Sequence, residues 1–96
     1  MLDSVLHQPN RLKILSALAV NEILSFAMLQ EMMGLTKGNL SSHMKLLSGE
    51  GYVTVEKFFE GNKPKTVYRI SDAGREALRA YIEEMERFLK EVNPDT

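Results

Sequence analysis

The chain has 96 residues, 44% of them hydrophobic and 26% charged, with a formal net charge of −1 and no cysteine. These values describe a folded domain with a modest core, expected to be a single domain over residues 1–96, and exclude disulfide staples, thiolate metal sites and thiol redox sensing. No apolar run approaches the roughly 18 residues of a membrane span and no leader pattern opens the chain, so a reducing, cytoplasmic setting is expected.

The near-neutral total hides an asymmetry. Residues 35–70 carry six Lys and Arg against three acids, a net +3, whereas residues 71–96 carry four bases against seven acids, a net −3. A basic middle third suits a polyanionic partner, because distribution decides this more than the total.

In chain order, Leu2, Val5 and Leu6 share one short helical turn. Pro9 then opens a helix over about residues 9–20, where its missing N–H costs nothing. "EILS" reads as a short extended link, and Ser25 caps a helix over roughly 26–33 that Gly34 ends. Two residues later Thr36 caps a third helix, with Leu40, Met44 and Leu47 as its apolar stripe and Gly49 and Gly51 at its close. Two helices joined by a tight glycine-containing turn form a helix-turn-helix. "YVTVEKFF" and "TVYRI" read as a hairpin whose loop is the six residues "EGNKPK", 60–65. Ser71 caps a long last helix over about 72–92. The order helix, helix, helix, hairpin, helix predicts an α+β, mostly α, winged helix-turn-helix.

Two stretches, "TKGNLSSHMKLLSGEGYV" and "KFFEGNKPKTVYRISDAGREAL", resemble the small stand-alone winged-helix transcriptional regulators akin to the MarR and ArsR families. The likeness runs from about residue 2 to 90. It implies that the third helix enters the major groove of double-stranded DNA, that the wing meets the backbone or minor groove, and that the chain forms a homodimer. In two respects this chain departs from its relatives. Its wing has lysines where they often have arginines, and it lacks the cysteines of metal-sensing members.

The residues agree with that implication. On the third helix, Leu40, Met44 and Leu47 lie within about 60° of one another, while Gly38, Ser41, Ser42 and Lys45 cluster opposite, with Asn39 on the flank. Short polar side chains let a helix approach base edges closely, serine adapts to any of them, and Asn39 suits adenine. Lys37 and the free N–H groups of the first turn suit a phosphate. Each has a plainer reading: exposed serines are usually only solvated, Gly38 can merely ease the turn, and His43, at the edge of the apolar stripe, reads as a local packing residue. In the wing, Pro64 stiffens the segment that presents Lys63 and Lys65 for backbone or minor-groove contact. Lys57 and Arg69 read as supporting charge nearer the hairpin body.

In the last helix, Leu78, Met85 and Val92 keep a seven-residue spacing, as do Tyr81 with Phe88 and Ile82 with Leu89. This stripe is wider than one small domain can cover. We expect a two-fold seam of Leu2, Val5 and Leu6 with Met85, Leu89 and Val92, so that residues 72–92 contribute to dimerisation; the plainer reading folds the helix onto its own domain. Glu83 with Arg87 and Glu86 with Lys90 are expected to pair on its solvent side. No catalytic residue, cofactor or metal site is expected. Ser42 and His43 are adjacent on a helix and cannot face each other, and no phosphate loop or metal-ligand spacing occurs. The competing function is a winged helix that binds protein without reading DNA sequence. The sequence names neither an operator nor an effector.

Overall fold

The computed structural model describes residues 2–95. Its elements are α1 (Pro9–Val20), β1 (Leu24–Ser25), α2 (Phe26–Met33), α3 (Lys37–Gly49), β2 (Val53–Glu60), β3 (Lys63–Ile70) and α4 (Asp72–Val92). Each helix starts where a side chain takes up an orphan N–H. Gln8 accepts from Arg11 N at 2.8 Å, Ser25 from Met28 N at 3.0 Å, Thr36 from Asn39 N at 3.1 Å and Ser71 from Gly74 N at 3.0 Å. Apart from the Gln8 cap, these are the starts expected from the sequence.

Seven aliphatic side chains, Leu6, Ile14, Leu15, Leu18, Leu29, Leu40 and Leu47, are fully buried and join the first three helices. Each such burial is worth about 1.5–3 kcal/mol relative to exposure. Val53, Tyr68, Leu78 and Tyr81 extend the same core to the sheet and α4. The "EILS" link does more than connect. Leu24 pairs with Tyr68 and Ser25 with Val67, making β1 the third strand of an antiparallel sheet in the order β1-β3-β2.

The wing differs from expectation. In place of a six-residue loop, β2 and β3 pair down to Glu60↔Lys63, and only Gly61 and Asn62 form the turn. Gly61 has φ +64 and Asn62 does not have a positive φ, which is the pattern of a type II′ hairpin with glycine at its first central position. Pro64 is tolerated in the strand because it lies opposite Phe59, in the pair after the closing one. Antiparallel pairs alternate, so its ring nitrogen faces away from β2, and β1 ends before reaching it.

Gly74 sets how closely α4 can seat. A Cβ there would lie 2.1 Å from the Tyr52 carbonyl oxygen, which already accepts from Ser71 N at 3.0 Å. Ser71 Oγ donates to Gly51 O at 2.6 Å. The "ISDAG" segment therefore clamps the start of α4 onto the corner between α3 and β2.

Candidate nucleic-acid interface

Thr36 fixes the start of α3, and the buried stripe Leu40, Met44 and Leu47 fixes its rotation. Lys37, Gly38, Asn39, Ser41, Ser42 and Lys45 are consequently all exposed. Nothing lies within 4 Å of a Cβ built on Gly38, so the fold itself does not require glycine at this position.

Ser41, Lys45 and Ser48 of α3 and Val55 and Lys57 of β2 line an open groove between the helix and the hairpin. A second groove, between the starts of α2 and α3 and the wing, is lined by Ser25, Gln30, Lys37, Pro64 and Thr66 among others. Side chains two apart on a strand share a face, so Val55, Lys57 and Phe59, with their partners Tyr68, Thr66 and Pro64, lie on the side turned towards α3. Phe58, Glu60, Lys63 and Lys65 take the other face.

The wing cations divide differently from expectation. Lys63 and Lys65 share a face, as expected, but Lys65 pairs with Glu60 at 3.4 Å. Both lysines are exposed at the wing tip. Lys57, read from the sequence only as supporting charge, lines the first groove opposite Ser41, Lys45 and Ser48 of α3, while Lys65 lines the second groove with Lys37. Counting alternation from the apolar Val53 and Val55 would have found Lys57. Arg69 is engaged near the hairpin base by Glu22 at 3.4 Å.

His43 does not point its Nδ1 outward. Arg11 Nη1 lies 3.2 Å from it, and because arginine can only donate, Nδ1 accepts and is unprotonated. Burial first, and the Arg11 charge second, hold the imidazole below its usual pKa. Leu46 is half exposed and has no structural role that we can identify.

The expected seam divides. Leu6 is fully buried in the core of its own chain and has no surface to offer a second copy, so it is withdrawn from the seam. Leu2, Val5 and Met85 are partly buried against that core, while Leu89 and Val92 are 53% and 67% exposed. Leu78 and Tyr81 pack inward; Ile82 and Phe88 stay exposed beside Leu89. On the solvent side of α4, Arg79 bridges Glu76 and Glu83, so Glu83 is held by a residue one turn before it rather than by Arg87.

The model of the winged helix DNA-binding domain matches residues 10–89. The chain belongs to that winged-helix family. An uncharacterized protein, MJ0432, of Methanocaldococcus jannaschii is 37% identical over 82 residues, covering 85% of this chain and 89% of that one. The uncharacterized HTH-type transcriptional regulator YdgJ of Bacillus subtilis is 31% identical over 83 residues, 86% of this chain and 50% of YdgJ. Among solved structures, a transcriptional regulator homologue from Pyrococcus horikoshii OT3 superposes with a TM-score of 0.85 at 29% identity, covering 93% of this chain and 88% of that one. The winged-helix assignment made from the third helix, the wing and the "ISDAG" cap thus stands. A non-enzymatic DNA-binding family also removes the enzyme alternative. Among the described residues, no helix is long and apolar enough to cross a membrane.

Proposed function

We propose that this winged-helix protein is a cytoplasmic, DNA-binding transcriptional regulator of MarR- or ArsR-like type that binds a palindromic duplex as a homodimer. The observation that carries this reading is the exposed small-polar face of α3 opening onto a groove shared with a lysine-bearing strand. In this reading α3 lies in the major groove. Asn39, Ser41 and Ser42 meet base edges, Gly38 permits the approach, and Lys37, Lys45 and Lys57 take phosphates. Lys63 and Lys65 hold the wing on the backbone or minor groove.

Dimerisation supplies the second half-site. Leu2, Val5, Met85, Leu89 and Val92 form the seam, joined by the exposed Ile82 and Phe88. A two-fold axis then sets two copies of α3 about 34 Å apart, one turn of the duplex.

Selection of duplexes from a random pool by the purified protein tests the reading. A palindromic consensus with half-sites one turn apart is the expected result. Recovery of duplexes with no shared sequence would favour the alternative, a winged helix that binds protein.

A further inference from the structure

Phe59 is 75% exposed, and among the described residues no other phenylalanine or tyrosine exceeds 53%. It stands beside the Gly61-Asn62 turn, opposite Pro64, on the face of the hairpin that looks towards α3. Proline carries no N–H and has a fixed ring, so the pair forms a stiff apolar step at the wing tip. A solvated hairpin tip has no use for such a step. The side chain takes no part in the hydrophobic core.

Its surroundings indicate the occupant. Lys57 lies two residues before it on the same face, Lys37 and Lys65 line the groove that reaches Pro64, and Lys63 follows the turn on the opposite face. Glu60, the acid at the tip, is already paired with Lys65. An exposed aromatic at the tip with cations on both faces of the ribbon behind it is complementary to a surface with anions at its rim and apolar faces inside. A duplex offers that at its minor groove, where phosphates flank stacked bases. An eight-residue strand at about 3.3 Å per residue is long enough to carry the tip well beyond α3.

We propose that Phe59, backed by Pro64, is a wedge that the wing inserts at a base step in the minor groove beside the segment read by α3. Inserting an apolar side chain partly unstacks the step, and pyrimidine–purine steps yield most easily. The protein would then select deformable DNA at a position where it reads no base edge. This inference rests on the DNA-binding reading above and adds the wing as a source of specificity.

The test compares duplexes selected from a random pool by the wild type, by Phe59→Ala and by Phe58→Ala, whose side chain lies on the opposite face. Wild type and Phe58→Ala should enrich TA or CA/TG steps at a fixed offset outside the half-site core. Phe59→Ala should lose that enrichment and bind roughly ten-fold more weakly, the scale of one base–aromatic stack. It should keep its half-site preferences, its salt slope and its melting temperature. A 2-aminopurine placed at the enriched step should brighten with wild type and stay dark with Phe59→Ala. Unchanged affinity and unchanged step preference in Phe59→Ala would overturn the wedge while leaving DNA binding intact. Failure of the wild type to bind any duplex would remove both readings. A Phe59→Ala effect confined to self-association would assign the patch to protein contact and also overturn the wedge.

Discussion

The Tyr52 hydroxyl donates to Oδ2 of Asp3, while Oδ1 of the same carboxylate accepts from the backbone N–H groups of Val5 and Leu6 at 2.8 and 3.1 Å. One side chain thus caps the N-terminal turn and ties it to the corner where α3 gives way to β2. His7 adds a second tie, its Nδ1 lying 2.8 Å from the Tyr81 hydroxyl on α4. The turn that presents Leu2 and Val5 is therefore held against both the α3–β2 corner and α4.

Tyr52→Phe should cost about 1–2 kcal/mol, because it removes a hydrogen bond to a charged group in a partly buried place. Burial, and then Asp3, push the Tyr52 phenol from 10.0 up to about 12. The folded state thus holds the proton more tightly than the unfolded state. The associated stability is complete below pH 10 and is lost as the pH rises towards 12. Burial shifts Tyr68 in the same direction. Thermal melts at pH 8 and 11 should show a smaller alkaline loss in Tyr52→Phe than in the wild type.

Two glycines should respond in opposite ways to alanine. Gly74→Ala drives a methyl group into the Tyr52 carbonyl and should destabilise by about 1–3 kcal/mol or more, since the obstacle is backbone. Gly38→Ala meets open space in a helix and should stabilise by up to about 1 kcal/mol. On the proposed docking of α3 it should nevertheless weaken duplex binding, because the methyl group would stand between the helix and the base edges. Denaturant melts paired with a binding titration separate the two effects.

Acid should loosen the attachment of α3 to α1. The His43 pKa is held below 6.5, so the unfolded chain takes up the proton first as the pH falls. Stability is lost from about pH 6.5 downwards until the folded imidazole also titrates. His43→Asn keeps an acceptor for Arg11 without a titrating group and should flatten that acid limb. An acid limb identical in both proteins would show that His43 is not its source.

Base reading and backbone binding should come apart under mutation. Asn39→Ala or Ser42→Ala should blur preference at particular base pairs, at about 1–3 kcal/mol for a good base contact. Lys57→Ala, and Lys63→Ala with Lys65→Ala, should weaken all duplexes alike and lower the salt slope by about one for each phosphate no longer neutralised. Competition titrations against single-base operator variants distinguish the two classes.

Much of this arrangement was legible in the sequence because caps and helical stripes are local. Ser25, Thr36 and Ser71 mark their helix starts by side-chain chemistry alone, and Leu40, Met44 and Leu47 orient α3 without reference to the rest of the fold. The features that were not legible depend on pairing across distance. The strand character of Leu24 and Ser25 exists only because Tyr68 and Val67 lie beside them. Glu60 and Lys63 resemble loop residues because Pro64 usually interrupts a strand, and only the alternation of the ladder shows why it is harmless here. Leu6 resembles a seam residue because it shares a turn with Leu2 and Val5. The Asp3 cap rotates that turn so that Leu6 alone enters the core completely.

The proposed seam is open to a direct assay. Leu89 is 53% exposed in the single chain, so Leu89→Asp should leave the monomer folded. In a dimer the same change buries an unpaired charge, a penalty of several kcal/mol. Sedimentation should give a wild type near twice 10.9 kDa and a folded Leu89→Asp monomer that binds a half-site weakly. A wild type that stays monomeric at tens of micromolar and still binds a palindrome tightly would refute the seam.

The central claim, that the basic middle third grips a duplex through phosphates, is tested most directly by the salt dependence of binding. With about 6–8 phosphates neutralised per dimer, the logarithm of the binding constant should fall against the logarithm of salt concentration with a slope of roughly −5 to −7. A slope near zero on any duplex selected by the protein would contradict it.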